Sequence, residues 1–448
     1  MLNQKVFSEE IIKPSKPTPT HLRYLKASLF DQVNAPVLMP IIFFYSKQHT
    51  PSTSTFLDRL KNSLRATLSV FYPLAGRVQN TSYIDCNDMG VPYIESKVPS
   101  IYLSEVVHKA DMSLLDELLP SHGNDHVGYD KLLLAIQVNT FACGGVAIGI
   151  KMNHSICDAF SKAMFVKTWA SIARGGGQSR LPSPFFEVWK HFPPYPLKSS
   201  INTNIASKEP DSNIITIRPV TKWFMFTKEM CNELRSRLCS EYNYQSRPSL
   251  TMVLSAFIWS KIKLASSDKT LPHEVYHAIN LRPKVDTLSK SYYYFGNMAV
   301  NAIAKPSLDN DESLCNSFIT TIEDSVEKIS RKNGLIEGLQ NGTQNLRYMM
   351  QHYKRVTKGE IVSLGFSSLR SLPLYEADFG WGKPVWVTSA TLMYSTTVIM
   401  IPGGASSDDT YVYINLKPDQ MAKLQADQEF MSFVTKSPTF GTFVSSKI

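Results

Sequence analysis

Hydrophobic residues near the start of the chain follow two different patterns. Residues 36–46, PVLMPIIFFYS, form an almost unbroken apolar run, which is typical of a buried strand. Residues 51–71 instead carry apolar side chains at helical spacing, and Pro73 and Gly76 should end that helix. Four leucines define its apolar face: Leu57, Leu60, Leu64 and Leu68. The chain is therefore expected to open with a strand and a capped amphipathic helix.

A second apolar segment leads into another helix. Residues 132–156 contain two apolar runs that meet at Gly144 and Gly145, a pattern that predicts two strands joined by a turn. Over residues 159–173 the apolar positions return to helical spacing. His154 consequently lies where a buried strand gives way to a helix.

The composition changes between the two halves of the chain. From about residue 175 to residue 213 it shifts to Gly, Pro, Ser and Lys, which indicates an interdomain crossover. The pattern beyond it predicts three elements: a helix over 249–265, a strand over 273–283 and a longer helix over 314–332. We expect α/β domains with mixed sheets, divided into three parts: an N-terminal domain (1–175), a linker (176–213) and a C-terminal domain (214–448).

Length and charge fit two domains with a cleft for a small ligand. A chain of 448 residues is long for one hydrophobic core. The net charge of +9 is spread along the chain without dense basic blocks, so we expect no nucleic-acid partner. Glu9 and Glu10 interrupt any export signal, and the apolar runs are too short to cross a membrane. Six irregularly spaced cysteines indicate free thiols, so we expect a cytoplasmic protein.

Two short motifs carry candidate chemistry. His154 and Asp158 form a His-x-x-x-Asp element, in which a His of near-neutral pKa can take a proton from a hydroxyl and return it to a leaving thiolate. This spacing alone is common by chance. Residues 378–384, DFGWGKP, place two glycines around a large aromatic side chain, which predicts a sharply constrained loop. Five specified residues in order rarely arise by chance.

Other patterns favour simpler explanations. His273 and His277 match the His-Glu-x-x-His zinc pattern, which requires a helix, but Pro272 and the β-branched neighbours favour a strand. Cys157 could be a nucleophile, although a small buried Cys is the commoner role. We therefore expect no metal site and no covalent intermediate on the enzyme.

The two motifs together resemble those of the BAHD acyltransferases, a family of acyl-CoA-dependent plant enzymes, and within it the alkaloid O-acetyltransferases. The resemblance covers essentially the whole chain. Further segments match as well: FDQ (30–32), FYPLAGR (71–77), CNDMGVPYIES (86–96), FACGG (141–145), NLR (280–282) and YFGN (294–297). It implies two chloramphenicol-acetyltransferase-like domains, with a channel between them that is open to CoA on one side and to the acceptor on the other.

The resemblance also implies roles for particular residues. His154 would be the general base, and Asp158 would pair with Arg282 and support the site structurally. Asp378, Gly380 and Gly382 would shape the loop of the second motif. Four residues are expected as contacts on the CoA side: Trp381, Ser367, Ser368 and Arg370. Trp381 could instead donate to the oxyanion or merely pack, and Leu369 replaces a Trp that is usual in the family.

These expectations combine into one predicted function. The chain would transfer an acyl group from acyl-CoA to a hydroxyl of a plant alkaloid or terpenoid. Acetyl-CoA is the expected donor. It would act as a cytoplasmic monomer without a permanently bound cofactor and without a membrane. Two alternatives stay open at this point: N-acylation of an amine by the same base, and a catalytically silent protein of this family that only binds ligands.

Overall fold

The computed structural model describes most of the chain, in sixteen ranges. They are 2–34, 36–46, 53–80, 83–121, 131–176, 183–194, 218–242, 247–266, 270–284, 293–306, 314–330, 348, 350–352, 354–393, 396–404 and 408–435. Most of the predicted linker lies outside these ranges. Within them, every helix is too short or too polar to span a bilayer.

Strands and helices alternate irregularly through both halves. The strands are β1 (Lys5–Ile12), β2 (Tyr24–Lys26), β3 (Leu38–Tyr45), β4 (Arg77–Asn80), β5 (Tyr83–Asp85), β6 (Val91–Val98), β7 (Leu134–Phe141), β8 (Val146–Asn153), β9 (Val220–Phe226), β10 (His273–Asn280), β11 (Ala299–Ala304), β12 (Val362–Ser368), β13 (Trp386–Thr388), β14 (Thr397–Pro402) and β15 (Thr410–Leu416). The helices are α1 (Leu29–Val33), α2 (Thr53–Val70), α3 (Leu103–Lys109), α4 (Met112–Glu117), α5 (Ala159–Ala173), α6 (Val188–His191), α7 (Lys228–Tyr242), α8 (Leu250–Ala265), α9 (Leu314–Ser330), α10 (Pro418–Ala426) and α11 (Gln428–Ser432).

Two six-stranded mixed sheets dominate the fold. The first sheet has the order β1-β6-β7-β8-β3-β13, and the second has the order β11-β10-β12-β14-β15-β9. In the first sheet β6 and β7 run parallel, and in the second β12 runs parallel to both β10 and β14. A small three-stranded sheet, β2-β5-β4, lies apart from them. The predicted α/β fold with mixed sheets is confirmed.

Each large sheet packs against helices over its own hydrophobic core. Helix α2 crosses α5 on the first sheet, and α8 packs on α9 on the second. The first core includes Leu64, Ile148, Trp169 and Trp386. The second core includes Leu254, Ile258, Phe318 and Leu364.

One strand of the first sheet comes from the second half of the chain. In β13, Trp386 pairs with Phe44 of β3, and the hydroxyl of Tyr45 donates to the carbonyl of Ala377 (2.8 Å). The first core accordingly contains side chains from both halves. The two halves are therefore interlocked, whereas the boundaries at residues 175 and 213 stay a prediction.

Candidate active site

His154 is held by its main chain at the end of β8. Its backbone N–H donates to the carbonyl of Val37 (2.9 Å), which extends the β3–β8 pairing by one step. The side chain of Asn153 accepts from the backbone N–H (2.9 Å) and the hydroxyl (2.8 Å) of Ser155, so the chain turns immediately after His154. The turn then delivers the chain to the start of α5.

Asp158 caps that helix and turns away from His154. Its Oδ1 accepts from the backbone N–H of Ser161 (2.9 Å), the usual bond of an N-cap. Its Oδ2 accepts from Arg282 (2.7 Å) and from the backbone N–H of Met298 (3.0 Å). Burial alone would raise the pKa of Asp158, but Arg282 and these N–H donors hold it below its ordinary value. Both carboxylate oxygens of Asp158 are therefore engaged, and the group is held in its charged form.

The guanidinium of Arg282, the partner of Asp158, is buried and fully hydrogen-bonded. The side chain is 0 % exposed, and the ring of Phe160 lies 4.6 Å from its central carbon. All its N–H directions find acceptors, as a buried guanidinium requires. The acceptors are Asp158 (2.7 Å), Asn280 (3.3 Å), Ser161 Oγ (3.0 Å) and the carbonyls of Tyr294 (3.0 Å) and Gly296 (2.9 Å). The Asp158–Arg282 pairing that the family resemblance implies is present and joins the two halves of the chain.

Asn297 connects the main chain of His154 to a second buried carboxylate, that of Asp31. The amide Nδ2 of Asn297 donates to the carbonyl of His154 (2.9 Å) and to Oδ1 of Asp31 (2.8 Å). Burial raises the pKa of Asp31 to about 6, although Ser28 and Asn297 donate to it. Sequence reasoning noted FDQ and YFGN only as matching segments. The sequence signal that could have been used is that each segment places a polar residue among large apolar ones.

The imidazole of His154 is suited to accept a proton. Its Nδ1 is buried, and the residue as a whole stays partly exposed. Burial lowers the pKa of His154, and the nearby Lys162 adds to this effect, whereas Asp158 and Asn297 oppose it. A lowered pKa keeps the ring neutral at neutral pH, which is the form that a general base needs.

The loop of the second motif is organised by Asp378. Its Oδ1 accepts from the backbone N–H groups of Gly380 (2.8 Å) and Gly382 (3.0 Å), and Oδ2 faces Arg174 (3.4 Å). Both glycines have positive φ, 102° and 103°, which explains why glycine is used at these positions. Partial burial would raise the pKa of Asp378, but these N–H donors and Arg174 lower it. The contacts of Asp378 are those of a loop-forming residue.

Trp381 packs in the first core, far from His154. Its ring stacks on Phe379 (5.3 Å between centroids) and meets Phe56 (4.5 Å) and Tyr45 (6.1 Å) edge-on. Tyr45 is the last residue of β3, whereas Leu38 at the other end pairs with Asn153, next to His154. Seven residues of strand span about 23 Å. The oxyanion role considered for Trp381 does not fit this position.

The three polar residues expected on the CoA side do not share one surface. Ser368 and Arg370 line a cavity of about 270 Å³ together with Thr251, Ser371, Pro402, Asp408 and Asp409. Ser367 pairs with Ile399, a residue of the first core, and therefore faces the other side of the sheet. Leu369 packs against the first core.

The zinc pattern lies on a strand, as predicted. His273 and His277 belong to β10, and Glu274 accepts from His352 (2.6 Å) and Tyr348 (2.7 Å) on the opposite face. His277 stacks on Phe366 (5.0 Å). Among the described residues, no group of His, Cys, Asp and Glu has the arrangement of a metal site.

Cys157 lies in the first core beside the turn. Its thiol contacts the carbonyl of Asn153 (3.5 Å), and burial raises its pKa far above the ordinary value. A thiol with a raised pKa is a poor nucleophile.

Comparison with known proteins decides the family. A family model described as Transferase family matches residues 4–431. The chain belongs to this family. The resemblance inferred from the motifs is confirmed, and with it the prediction of an acyltransferase that uses acyl-CoA as co-substrate.

The relatives and solved structures agree with this assignment. Stemmadenine O-acetyltransferase of Catharanthus roseus is 33% identical over 94% of this chain and 96% of its own length. Limonoid 1-O-acetyltransferase of Citrus sinensis is 31% identical over 96% of this chain and 97% of its own length. The crystal structure of vinorine synthase superposes with a TM-score of 0.79 at 29% identity, covering 98% of this chain and 100% of that chain.

Proposed function

We propose that this chain catalyses direct transfer of an acetyl group from acetyl-CoA to a hydroxyl of a plant specialised metabolite, with His154 as general base. The carrying observation is that His154 is fixed through its main chain by Val37 and Asn297 while the residue stays partly exposed. A base held in this way can meet a hydroxyl without losing its orientation.

The proposed reaction needs no covalent acyl-enzyme. His154 Nε2 takes the proton of the acceptor hydroxyl as the oxygen attacks the thioester carbonyl. The tetrahedral intermediate then collapses, the carbon–sulfur bond breaks, and the imidazolium returns its proton to the CoA thiolate. The products are an ester and free CoA, and His154 is neutral again. Asp158 supports this step through the helix start and not by proton transfer.

The donor side of the proposal involves Ser368 and Arg370. Both line the cavity of about 270 Å³, and Arg370 supplies the positive charge that a CoA phosphate requires. Lys228 pairs with Asp408 (3.1 Å) at the same cavity, which reduces the repulsion that this carboxylate would exert on a phosphate.

The acceptor is proposed to be an alkaloid or terpenoid alcohol. Names of the relatives support both classes, since they include acetyltransferases of stemmadenine, of salutaridinol and of limonoids. We further propose that the protein works as a cytoplasmic monomer with the domain division given by the sequence.

A thiol-release assay tests this function. Purified protein, acetyl-CoA and a panel of alkaloid and terpenoid alcohols should give stoichiometric free CoA and an acetyl ester detected by mass spectrometry. His154→Ala should lower release at least ~100-fold, while the exposed His21→Ala is the matched control. Thiol release from no alcohol in the panel, or equal activity of the His154 variant, would contradict the proposal. Release with amines alone would favour N-acylation.

A further inference from the structure

A buried lysine lies beside the candidate base. Lys162 is in the first turn of α5 and only 9% exposed. Its Nζ donates to the carbonyl of Met39 (3.1 Å) and forms no ion pair with a carboxylate among the described residues. An ammonium group has three donors. Within the described part of the chain, the other two therefore lack a protein acceptor.

Lys162 and His154 bond to nearby residues at the start of β3, which places them close together. The backbone N–H of His154 donates to Val37, and Lys162 donates to Met39, two residues further on. Two residues of a strand span about 7 Å. Burial is the main cause of the lowered pKa of His154, and the positive charge of Lys162 is a further cause. The ammonium and the imidazole thus share one end of the first sheet.

This placement is unfavourable for the free protein. A buried cation with a single neutral acceptor is poorly solvated, and the first turn of a helix is its positive end. Asp158, which attracts Lys162, already accepts from Arg282, Ser161 and Met298. The lysine therefore has unused donor capacity near His154.

We propose that Lys162 belongs to the acceptor-binding site and donates to an oxygen of the acceptor, a carboxylate or a carbonyl, close to the hydroxyl that is acylated. This inference rests on the proposed function and narrows the acceptor class within it. Oxygen-rich neutral or anionic alcohols, such as oxidised terpenoids, fit the site. Alcohols with a protonated amine near the hydroxyl do not, because like charges repel strongly where water is excluded.

Three matched alcohols separate these classes. They are para-hydroxymethyl benzoate, its methyl ester and para-hydroxymethyl benzylamine, which differ mainly in charge. We expect kcat/KM to decrease in that order for the natural protein. In Lys162→Met the ratio of benzoate to benzylamine should fall by roughly tenfold or more. Lys162→Arg should keep the order, and so should Lys167→Met, a control on the same helix whose lysine is 46% exposed.

A binding measurement decides the question without turnover. The same compounds are tested by thermal shift in the presence of free CoA, and the benzoate should stabilise the natural protein more than Lys162→Met. A wild-type preference for the benzylamine, an unchanged ratio in Lys162→Met, or no shift with any compound at millimolar concentration would overturn the inference. So would an equal loss for all three alcohols, which marks a structural role. If no alcohol releases CoA, the proposed function fails, and the thermal shifts still decide on Lys162.

Discussion

The Asp158–Arg282 pair gives the sharpest test of how the site is held. Asp158→Asn and Arg282→Gln each leave one buried charge without its partner, since Arg282 is 0% and Asp158 10% exposed at the side chain. Breaking such a pair costs about 3–5 kcal/mol. For a domain of 150–250 residues, 1 kcal/mol corresponds to about 2–4 °C, so each variant should melt roughly 6–20 °C lower.

The double variant distinguishes structural support from a catalytic dyad. Once one charge is removed, the second substitution removes a group that is already unpaired, so the combined loss should be clearly smaller than the sum, by about 1 kcal/mol or more. Urea denaturation of the four proteins, followed by tryptophan fluorescence, measures this coupling. The controls are Lys167→Gln and Glu376→Gln, an exposed pair in which the coupling should be small.

Two results would refute the reasoning. Additive losses of unfolding free energy in the double-mutant cycle would show that Asp158 and Arg282 do not stabilise the protein by interacting with each other. A Tm unchanged in Asp158→Asn together with a large loss of kcat would make Asp158 part of the proton transfer, and the structural assignment would be wrong.

Three further predictions can be checked on the same material. His154→Ala should lower kcat at least ~100-fold while Tm and CoA binding by calorimetry stay near those of the natural protein; retention of half the activity would remove His154 from the mechanism. Burial lowers the pKa of His277 to about 4, below its unfolded value of about 6.5, so its stabilising effect is complete above pH 6.5 and lost as pH falls towards 4. Urea midpoints of His277→Phe should therefore fall less between pH 7 and 4 than those of the natural protein; parallel curves would contradict this. Activity should persist in excess EDTA, with no zinc by elemental analysis, because His273 and His277 lie on a strand; activity lost in EDTA and restored by zinc would contradict it.

Local sequence patterns were sufficient for the regular elements. The apolar run of residues 36–46 became β3, and the leucine spacing of residues 51–71 became α2. The apolar runs around Gly144 and Gly145 became β7 and β8, since a strand period and a turn are properties of neighbouring residues.

Contacts between distant segments could not be obtained in this way. The Arg282 partner of Asp158 came from the family resemblance, because spacing alone does not say which buried cation meets a carboxylate. The bond from Asn297 to the carbonyl of His154 depends on the packing of the second sheet. The burial of Lys162 could not be predicted, because a lysine in an amphipathic segment normally faces water.

The shared edge strand affects how the protein can fold during synthesis. The bond from Tyr45 to Ala377 connects residues 332 positions apart, and β13 follows a few residues later. At about 5–20 residues per second, the ribosome needs roughly 20–70 s to make that length of chain. Until then β3 has no partner on its outer edge, and that side of the first core is incomplete. The N-terminal half should therefore need protection from aggregation while it emerges, and a chain truncated before β13 should not fold.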